Sequence, residues 1–262
     1  MTESRAVAPE ALLRVDNVTK SFGGLTAVKS LTMNVNRGAL YGLIGPNGAG
    51  KTTVFNLLTG VYQPTHGRIQ LGTVRVDGRQ PYDIARLGIG RTFQNIRLFA
   101  DMSVLENVMA ARHLRSRQWI FDAVVGTPRH HAEERLARER AFELLKIFKL
   151  ENLADEHATS LPYGSQRRLE IARALATEPK VLLLDEPAAG MNPQESSDLM
   201  DLIRWIRDEF KLTVVLVEHN MKVVMGICEI VQVIDHGEAI AVGTPAEIQT
   251  NTEVIEAYLG VG

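Results

Sequence analysis

A single cysteine, Cys228, is all the thiol chemistry that this chain of 262 residues possesses. No internal disulfide can form, so nothing in the sequence calls for an oxidising compartment. Long apolar runs are also missing. VLLL before Asp185 and TVVLV before Glu218 fall far short of the roughly 18 residues that a membrane-crossing helix needs, and any membrane role is expected to be peripheral. Charge of one sign is not in excess either, since 29 Lys and Arg face 31 Asp and Glu for a net charge of −2. A protein that lives on phosphate backbones carries a broad cationic footprint, so nucleic acid is not an expected partner. The opening segment holds Glu3, Arg5, Pro9 and Glu10 and lacks the apolar stretch of a secretory leader, which points to the reduced cytosol.

What is present is close to the globular average, with 45% hydrophobic and 23% charged residues, in a length that suits one large domain or two small ones. Residues 12–44 alternate apolar and polar positions, with Val15, Val18, Leu31, Met33 and Val35 on the apolar side, and this period of two predicts strands. ALYGLIG reads as a buried strand that stops at Gly45, and a glycine-rich turn then leads into the helical KTTVFNLLTGVY. GRIQLGTVRVDG, bounded by Gly67 and Gly78, predicts a hairpin.

From about 102 to 160 the strand signals disappear. Ser103 with Glu106 matches a capping box ahead of VLENVMAARHL, and AEERLARERAFELLKIFKL is rich in helix formers with charges on a solvated face. After residue 163 a helix, the strand VLLLD, a second helix and the strand TVVLVE alternate, which implies crossovers and a parallel sheet. The tail from Gly243 reads as short helices. The expected class is therefore α/β in one unit spanning 1–262. It has a mixed N-terminal antiparallel β region, a parallel core sheet, an inserted helical subdomain at about 102–163 and short C-terminal helices at about 243–262.

The segment Gly45, Pro46, Asn47, Gly48, Ala49, Gly50, Lys51, Thr52 matches G-x-x-x-x-G-K-[ST] between a predicted strand and a predicted helix, with Thr53 following, and so predicts a P-loop. Gly48 and Gly50 would let backbone N–H groups converge on phosphate oxygens, where side chains would block the approach and the required dihedrals favour glycine. The new helix adds its positive dipole end. Lys51 is expected to reach the β- and γ-phosphates, and the Thr52 hydroxyl to ligate Mg²⁺ of bound ATP.

VLLLDEP sets two carboxylates at the end of a buried strand, where α/β sheets open on ligand crevices. Asp185 is expected to hold the magnesium, and Glu186 to act as general base or orienter for an attacking water. TVVLVEH delivers His219 to the same edge, and Gln94 in RTFQNIRLF could join the magnesium shell. A lone strand-end histidine or surface glutamine serves structure more often than catalysis, and only the ensemble gives these two a role.

The block LPYGSQRRLEIARALATEPKVLLLDEP resembles the signature-to-acidic-strand block of ABC ATPases. That resemblance implies two cassettes that sandwich two ATPs head to tail, each signature turn closing on the γ-phosphate held by the other. Carried over by position, it implies Phe22 as the aromatic that stacks on adenine, Gln94 as the Q-loop residue, Asp185 and Glu186 as the acidic pair, and His219 as the switch histidine. Tyr163, Gly164, Ser165 and Gln166 become the signature acting in trans, and Gly190, Met191 and Asn192 the D-loop. Independently of the family, backbone N–H groups of Gly164 and Ser165 at a helix start suit an anion. Two departures stand out: Pro162 replaces the usual signature serine, and Asn192 stands where an aspartate is common.

Within the family, RTFQNIRLF, SVLENVMAARH, DEPAAGMNP, EHNMKVVMGIC and VIEAYLG are similar to the longer ATPase of branched-chain (hydrophobic) amino acid importers. The likeness implies integral membrane permease subunits, a second ATPase subunit, either a copy or a paralogue, and indirectly a solute-binding protein, at the cytoplasmic face of the inner membrane. An exporter or lipid-extracting system such as lipopolysaccharide export is the alternative. Phe99, Met102, Val104 and Leu105 are expected to line a groove for a permease helix, with core burial as the other reading. His130 and His131 lack partners at metal-ligand spacing, and Cys228 reads as a small buried residue.

Overall fold

The structure, a computed structural model, describes residues 11–112, 114 and 128–259. The first ten residues, the side chains of His130 and His131 and the last three residues of the chain lie outside the described residues, together with the readings that rest on them. The described chain falls into two compact units. One runs to Pro81 and resumes at Leu202; the other is Tyr82–Asp201.

The first unit begins with β1 (Ala11–Phe22) and β2 (Leu25–Asn36), an antiparallel pair joined through Gly23 at φ 55°. Their register sets Leu13 against Val35, Val15 against Met33 and Val18 against Leu31, all six buried, so the alternation seen in the sequence becomes one apolar face. β4 (His66–Leu71) pairs with the other edge of β1, and β5 (Val74–Arg75) folds back on it, which realises the predicted hairpin.

A second sheet centres on β3 (Leu40–Ile44), buried at every residue because it is covered on both faces. It lies parallel to β8 (Thr213–Val217) on one side and β9 (Ile230–Asp235) on the other, with β10 (Glu238–Gly243) antiparallel to β9. Helix α1 (Lys51–Leu58) follows β3 and buries Val54, Phe55, Leu57 and Leu58. The two sheets are tied by one buried polar chain. Tyr41 Oη donates to Gln232 Oε1 at 2.7 Å, and Gln232 Nε2 donates to the Thr32 carbonyl at 2.9 Å. Burial pushes the Tyr41 phenol well above its ordinary pKa.

The second unit opens with α2 (Pro81–Leu87) and the short strand β6 (Ile89–Arg91), which lies parallel to β7 (Val181–Asp185). Between them come α3 (Val104–Arg112), α4 (Pro128–Ile147), two turns of 3₁₀ helix and α5 (Tyr163–Ala176). An isolated β-bridge joins Ser103 to His157. The capping box closes in both directions, with the Glu106 N–H donating to Ser103 Oγ at 3.1 Å and the Ser103 N–H to Glu106 Oε2 at 2.8 Å. On α4 the charged residues face solvent while Ala141, Leu144 and Leu145 turn inward, followed by Phe148. Helix α6 (Pro193–Glu209) ends this unit and passes into the first at Leu202. The chain then continues through β8, α7 (Met221–Ile227), β9 and β10 to α8 (Pro245–Thr250) and α9 (Thr252–Leu259), the short helices expected of the tail.

Cys228 is buried, with its Sγ 3.0 Å from where a Cβ on Gly42 would stand. Burial, aided by the charges of Glu229 and Glu218, pushes its thiol up to about 12. The thiolate is the reactive form, so at pH 8 the native protein is expected to resist a thiol-specific reagent and to react at once in denaturant. Rapid labelling of native protein, followed by absorbance, would contradict this packing.

Candidate functional site

One group of candidate residues lies in the first unit, at the turn between β3 and α1. Gly45 is a glycine because a Cβ there would stand 2.0 Å from the Ile234 carbonyl oxygen. Gly50, at φ 103°, is fixed likewise, since its Cβ would meet the Ala27 carbonyl at 2.6 Å. Gly48 differs. It sits at φ 83° with nothing within 4 Å of its Cβ position, so it meets solvent, and a ligand, directly. Both glycines thus hold the left-handed dihedrals that the sequence reading expected, and at Gly50 packing against the chain's own backbone is an added reason.

The Ala49 N–H donates to the Pro46 carbonyl, closing the turn, and the Ala49 carbonyl accepts from the Gly237 N–H at 3.0 Å. Asn47 and Gly48 are exposed at its tip. The Val54 N–H donates to the Gly50 carbonyl at 3.0 Å, so the amides ahead of Val54 have no acceptor inside the helix and form an anion-binding end. Lys51 is buried, and its Nζ donates to the Gly45 and Pro46 carbonyls at 2.7 Å each. Its ammonium is held over the cradle by acceptors that an anion can replace. Thr52 is exposed and Thr53 half-buried in the first helical turn.

The parallel register of β3 and β8 sets Leu43 opposite Val217, so His219, two residues beyond β8, lies at the same sheet edge as the Gly45 turn. Glu218 beside it is buried and His219 exposed. Phe22 is 41% exposed at the end of β1. Its ring meets Tyr62 edge-on at 5.0 Å and carries Lys20 Nζ 4.8 Å above its centroid. Tyr62 and Lys20 escaped the sequence reading because their pairing with Phe22 spans separate elements. Tyr258 of α9 was also missed. Burial raises its pKa, offset in part by a hydrogen bond with the Gly45 backbone.

A second group of candidate residues belongs to the other unit. β6 and β7 run parallel with Arg91 opposite Leu183, which brings Gln94, Asp185 and Glu186 to one edge. Asp185 is 2% exposed; Arg91 Nη2 donates to its Oδ2 at 2.9 Å, and its own N–H donates to Thr92 Oγ1 at 3.2 Å. Burial raises the Asp185 pKa against the opposing pull of the Arg91 guanidinium. Glu186 takes a left-handed φ of 46°, unusual for a residue with a side chain, and its Oε2 accepts from Gln94 Nε2 at 3.0 Å. The structure thus brings the predicted Gln94 and Glu186 together directly and adds Arg91 and Thr92 as unforeseen partners of Asp185.

At the start of α5 the Ser165 and Gln166 N–H groups both donate to the Pro162 carbonyl, at 2.9 and 3.0 Å. This corrects the expectation for Ser165: the amides left at the helix start are those of Tyr163 and Gly164. Tyr163 is exposed, and its ring lies against Gly190, whose Cβ would stand 3.2 Å from Cε1. Asn192 and Glu195 cap each other reciprocally at 2.9 and 3.0 Å, which gives Asn192 a helix-starting role. Met191 is half-buried between them.

The groove expectation is half corrected. Phe99 and Met102 are exposed, but Val104 and Leu105 are buried, because Val104, Leu105 and Val108 form the inward face of α3. Among the described residues no cluster of three or more His, Cys, Asp or Glu could hold a metal ion, and no helix is long and apolar enough to cross a membrane.

A buried strand ending in a glycine turn, with a lysine folded over the start of the next helix, defines a P-loop nucleotide-binding protein of the α/β class. The ABC transporter model matches residues 28–189, well over half of the chain, and the chain belongs to the ABC transporter family of ATP-binding cassettes. Residues 240–262 match the model described as branched-chain amino acid ATP-binding cassette transporter. The chain is 45% identical to the high-affinity branched-chain amino acid transport ATP-binding protein LivG of Salmonella typhimurium, over 96% of this chain and 98% of that one. It is 47% identical to BraF of Pseudomonas aeruginosa, which carries the same description, over 95% and 98%. Among solved structures, an ATP-binding cassette of an ABC transporter in its ADP conformation superposes with a TM-score of 0.83 at 30% identity, covering 95% of this chain and 99% of that one.

The two central glycines therefore make different demands. Gly50→Ala forces backbone apart and is expected to cost about 2–3 kcal/mol in a thermal melt. Gly48→Ala is expected to cost only about 1–2 kcal/mol yet to weaken ATP binding about tenfold or more in calorimetry. Equal effects of the two substitutions on both measurements would refute the distinction.

Proposed function

We propose that this chain binds and hydrolyses ATP to energise an importer of branched-chain or other hydrophobic amino acids, working as a peripheral subunit at the cytoplasmic face of the plasma membrane. The observation that carries this reading is end-to-end similarity to LivG and BraF, together with the C-terminal match at residues 240–262. Similarity to the lipopolysaccharide export system ATP-binding protein LptB of Escherichia coli, 37% over 250 residues, keeps export as the second reading.

In this reading Lys51 exchanges the Gly45 and Pro46 carbonyls for β- and γ-phosphate oxygens, and the turn amides from Asn47 to Thr53 receive the rest of the charge. Phe22, steadied by Tyr62, offers its face to adenine. Thr52, Gln94 and Asp185 provide the hard oxygen donors that Mg²⁺ takes. Held there, the ion would neutralise charge on the transferring group.

Glu186 accepts a proton from the attacking water, with Gln94 holding its Oε2, and His219 orients the γ-phosphate. A second ATPase subunit supplies Tyr163, Gly164, Ser165 and Gln166, with Gly190, Met191 and Asn192, to complete the site in trans. A dimeric ATP-binding cassette holding ADP and phosphate, 26% identical with a TM-score of 0.75, supports that arrangement. Helices α3 and α4 and the exposed Phe99 and Met102 provide the permease contact, and the solute-binding protein acts through the permease. ATP drives the cycle only through its higher affinity for the closed dimer.

Two measurements test this. Glu186→Gln is expected to lower hydrolysis about 10²-fold or more while sparing ATP binding, and unchanged turnover removes Glu186 as the base. Purification of the tagged chain in mild detergent should bring down amino acid permease subunits; recovery of lipid-export membrane subunits instead would overturn the solute assignment.

A further inference from the structure

Arg167, one turn into α5, is a charged side chain with no exposure at all, and nothing assigned so far explains it. Its fork joins α5 to the loop after β6. Nη1 donates to the Phe93 carbonyl at 2.6 Å and pairs with Glu170 Oε2 at 2.9 Å, while Nη2 donates to the Gln94 carbonyl at 2.8 Å and to Tyr163 Oη at 3.1 Å. Glu170 closes the loop by accepting the Phe93 N–H on Oε1 at 3.1 Å. The backbone on both sides of the Phe93–Gln94 peptide is thus clamped by one buried ion pair.

That clamp has two outlets. Through Gln94 it leads to Glu186, because the same residue whose carbonyl Arg167 holds donates its side-chain amide to the Glu186 carboxylate at 3.0 Å. Through Tyr163 it leads to the first turn of α5 and onward to Gly190, against whose φ 74° backbone the phenol ring packs. A buried pair of this kind is weak as a stabiliser and strong as a constraint on geometry.

We propose that Tyr163 and Arg167 are positioning residues that tie the turn at the start of α5 to the Gln94 loop, so that Gln94 presents Glu186 for catalysis only when that turn is in place. The inference rests on the reading of Glu186 as the base. It gives the signature-turn tyrosine a task inside its own subunit, beyond contact with a partner's nucleotide. Within one subunit Tyr163 reaches Gln94 only through Arg167, and Arg167 holds the Gln94 carbonyl directly, so this task of both is exerted through Gln94.

The test is a double-mutant cycle on the full chain, read as kcat and KM for ATP with Mg²⁺. Arg167→Lys keeps the charge beside Glu170 but loses the fork that reaches two carbonyls. It is expected to lower kcat about tenfold with KM unchanged within about twofold. Tyr163→Phe removes only the phenolic oxygen and is expected to lower kcat about threefold. If both act through Gln94, adding either change to Gln94→Ala causes no further loss.

Losses that multiply in the double variants, or wild-type kcat in both single variants, overturn the relay. Should Arg167→Lys fail to fold by circular dichroism, the cycle between Tyr163 and Gln94 decides alone, since the exposed Tyr163 ring keeps its packing as phenylalanine. Turnover by the unmodified chain is the control. Its absence removes the ATPase reading and the relay together, whereas its presence with multiplying losses removes the relay only.

Discussion

The Ile234 carbonyl oxygen occupies the space where a side chain on Gly45 would begin, and the Ala27 carbonyl does the same at Gly50. The phosphate turn is therefore pressed between the end of β9 and the start of β2, and its two flanking glycines are set by neighbours distant in sequence. Gly237 joins the arrangement by donating to the Ala49 carbonyl while its own carbonyl accepts from Lys29. From this wedge follow the direction of α1, the burial of Lys51 and the outward aim of the open amides. A loop so confined has little entropy left to lose when an anion arrives, which is the physical meaning of a preorganised site.

Electrostatics in the second unit follow another logic. Asp185 is driven towards its neutral form by burial and held in its charged form by the Arg91 guanidinium at 2.9 Å. The adjoining Glu186 is half-buried, set at an unfavourable φ, and accepts a hydrogen bond from Gln94. Two neighbouring carboxylates thus acquire different surroundings from a single strand end: one sealed and countercharged, the other turned outward. In the proposed mechanism that divergence suits Asp185 to hold a metal and Glu186 to accept a proton.

Much of this was legible in the chain, and the parts that were share a cause. Strand alternation at Val15 to Val35, the capping box at Ser103 and Glu106, and the glycine turn before Lys51 are local patterns that span a few residues. What stayed hidden depends on distance. Nothing near Arg91 announces Asp185, ninety-four residues on, and Tyr62 gives no sign of Phe22. Burial of Val104 and Leu105 was mistaken for exposure because a helix face can be assigned only once its partners are known. Arg167 and Glu170 did offer a clue: opposite charges three apart among the apolar positions of an amphipathic helix mark a buried pair.

The chain's sole sulfhydryl sits sealed beneath Gly42, and this has a practical corollary. A spectroscopic label placed on an introduced surface cysteine would have no native competitor, so the natural background need not be stripped before attachment. Pairs of such labels, one on each compact unit, would let distance measurements by spin or fluorescence follow how the halves rearrange through a nucleotide cycle.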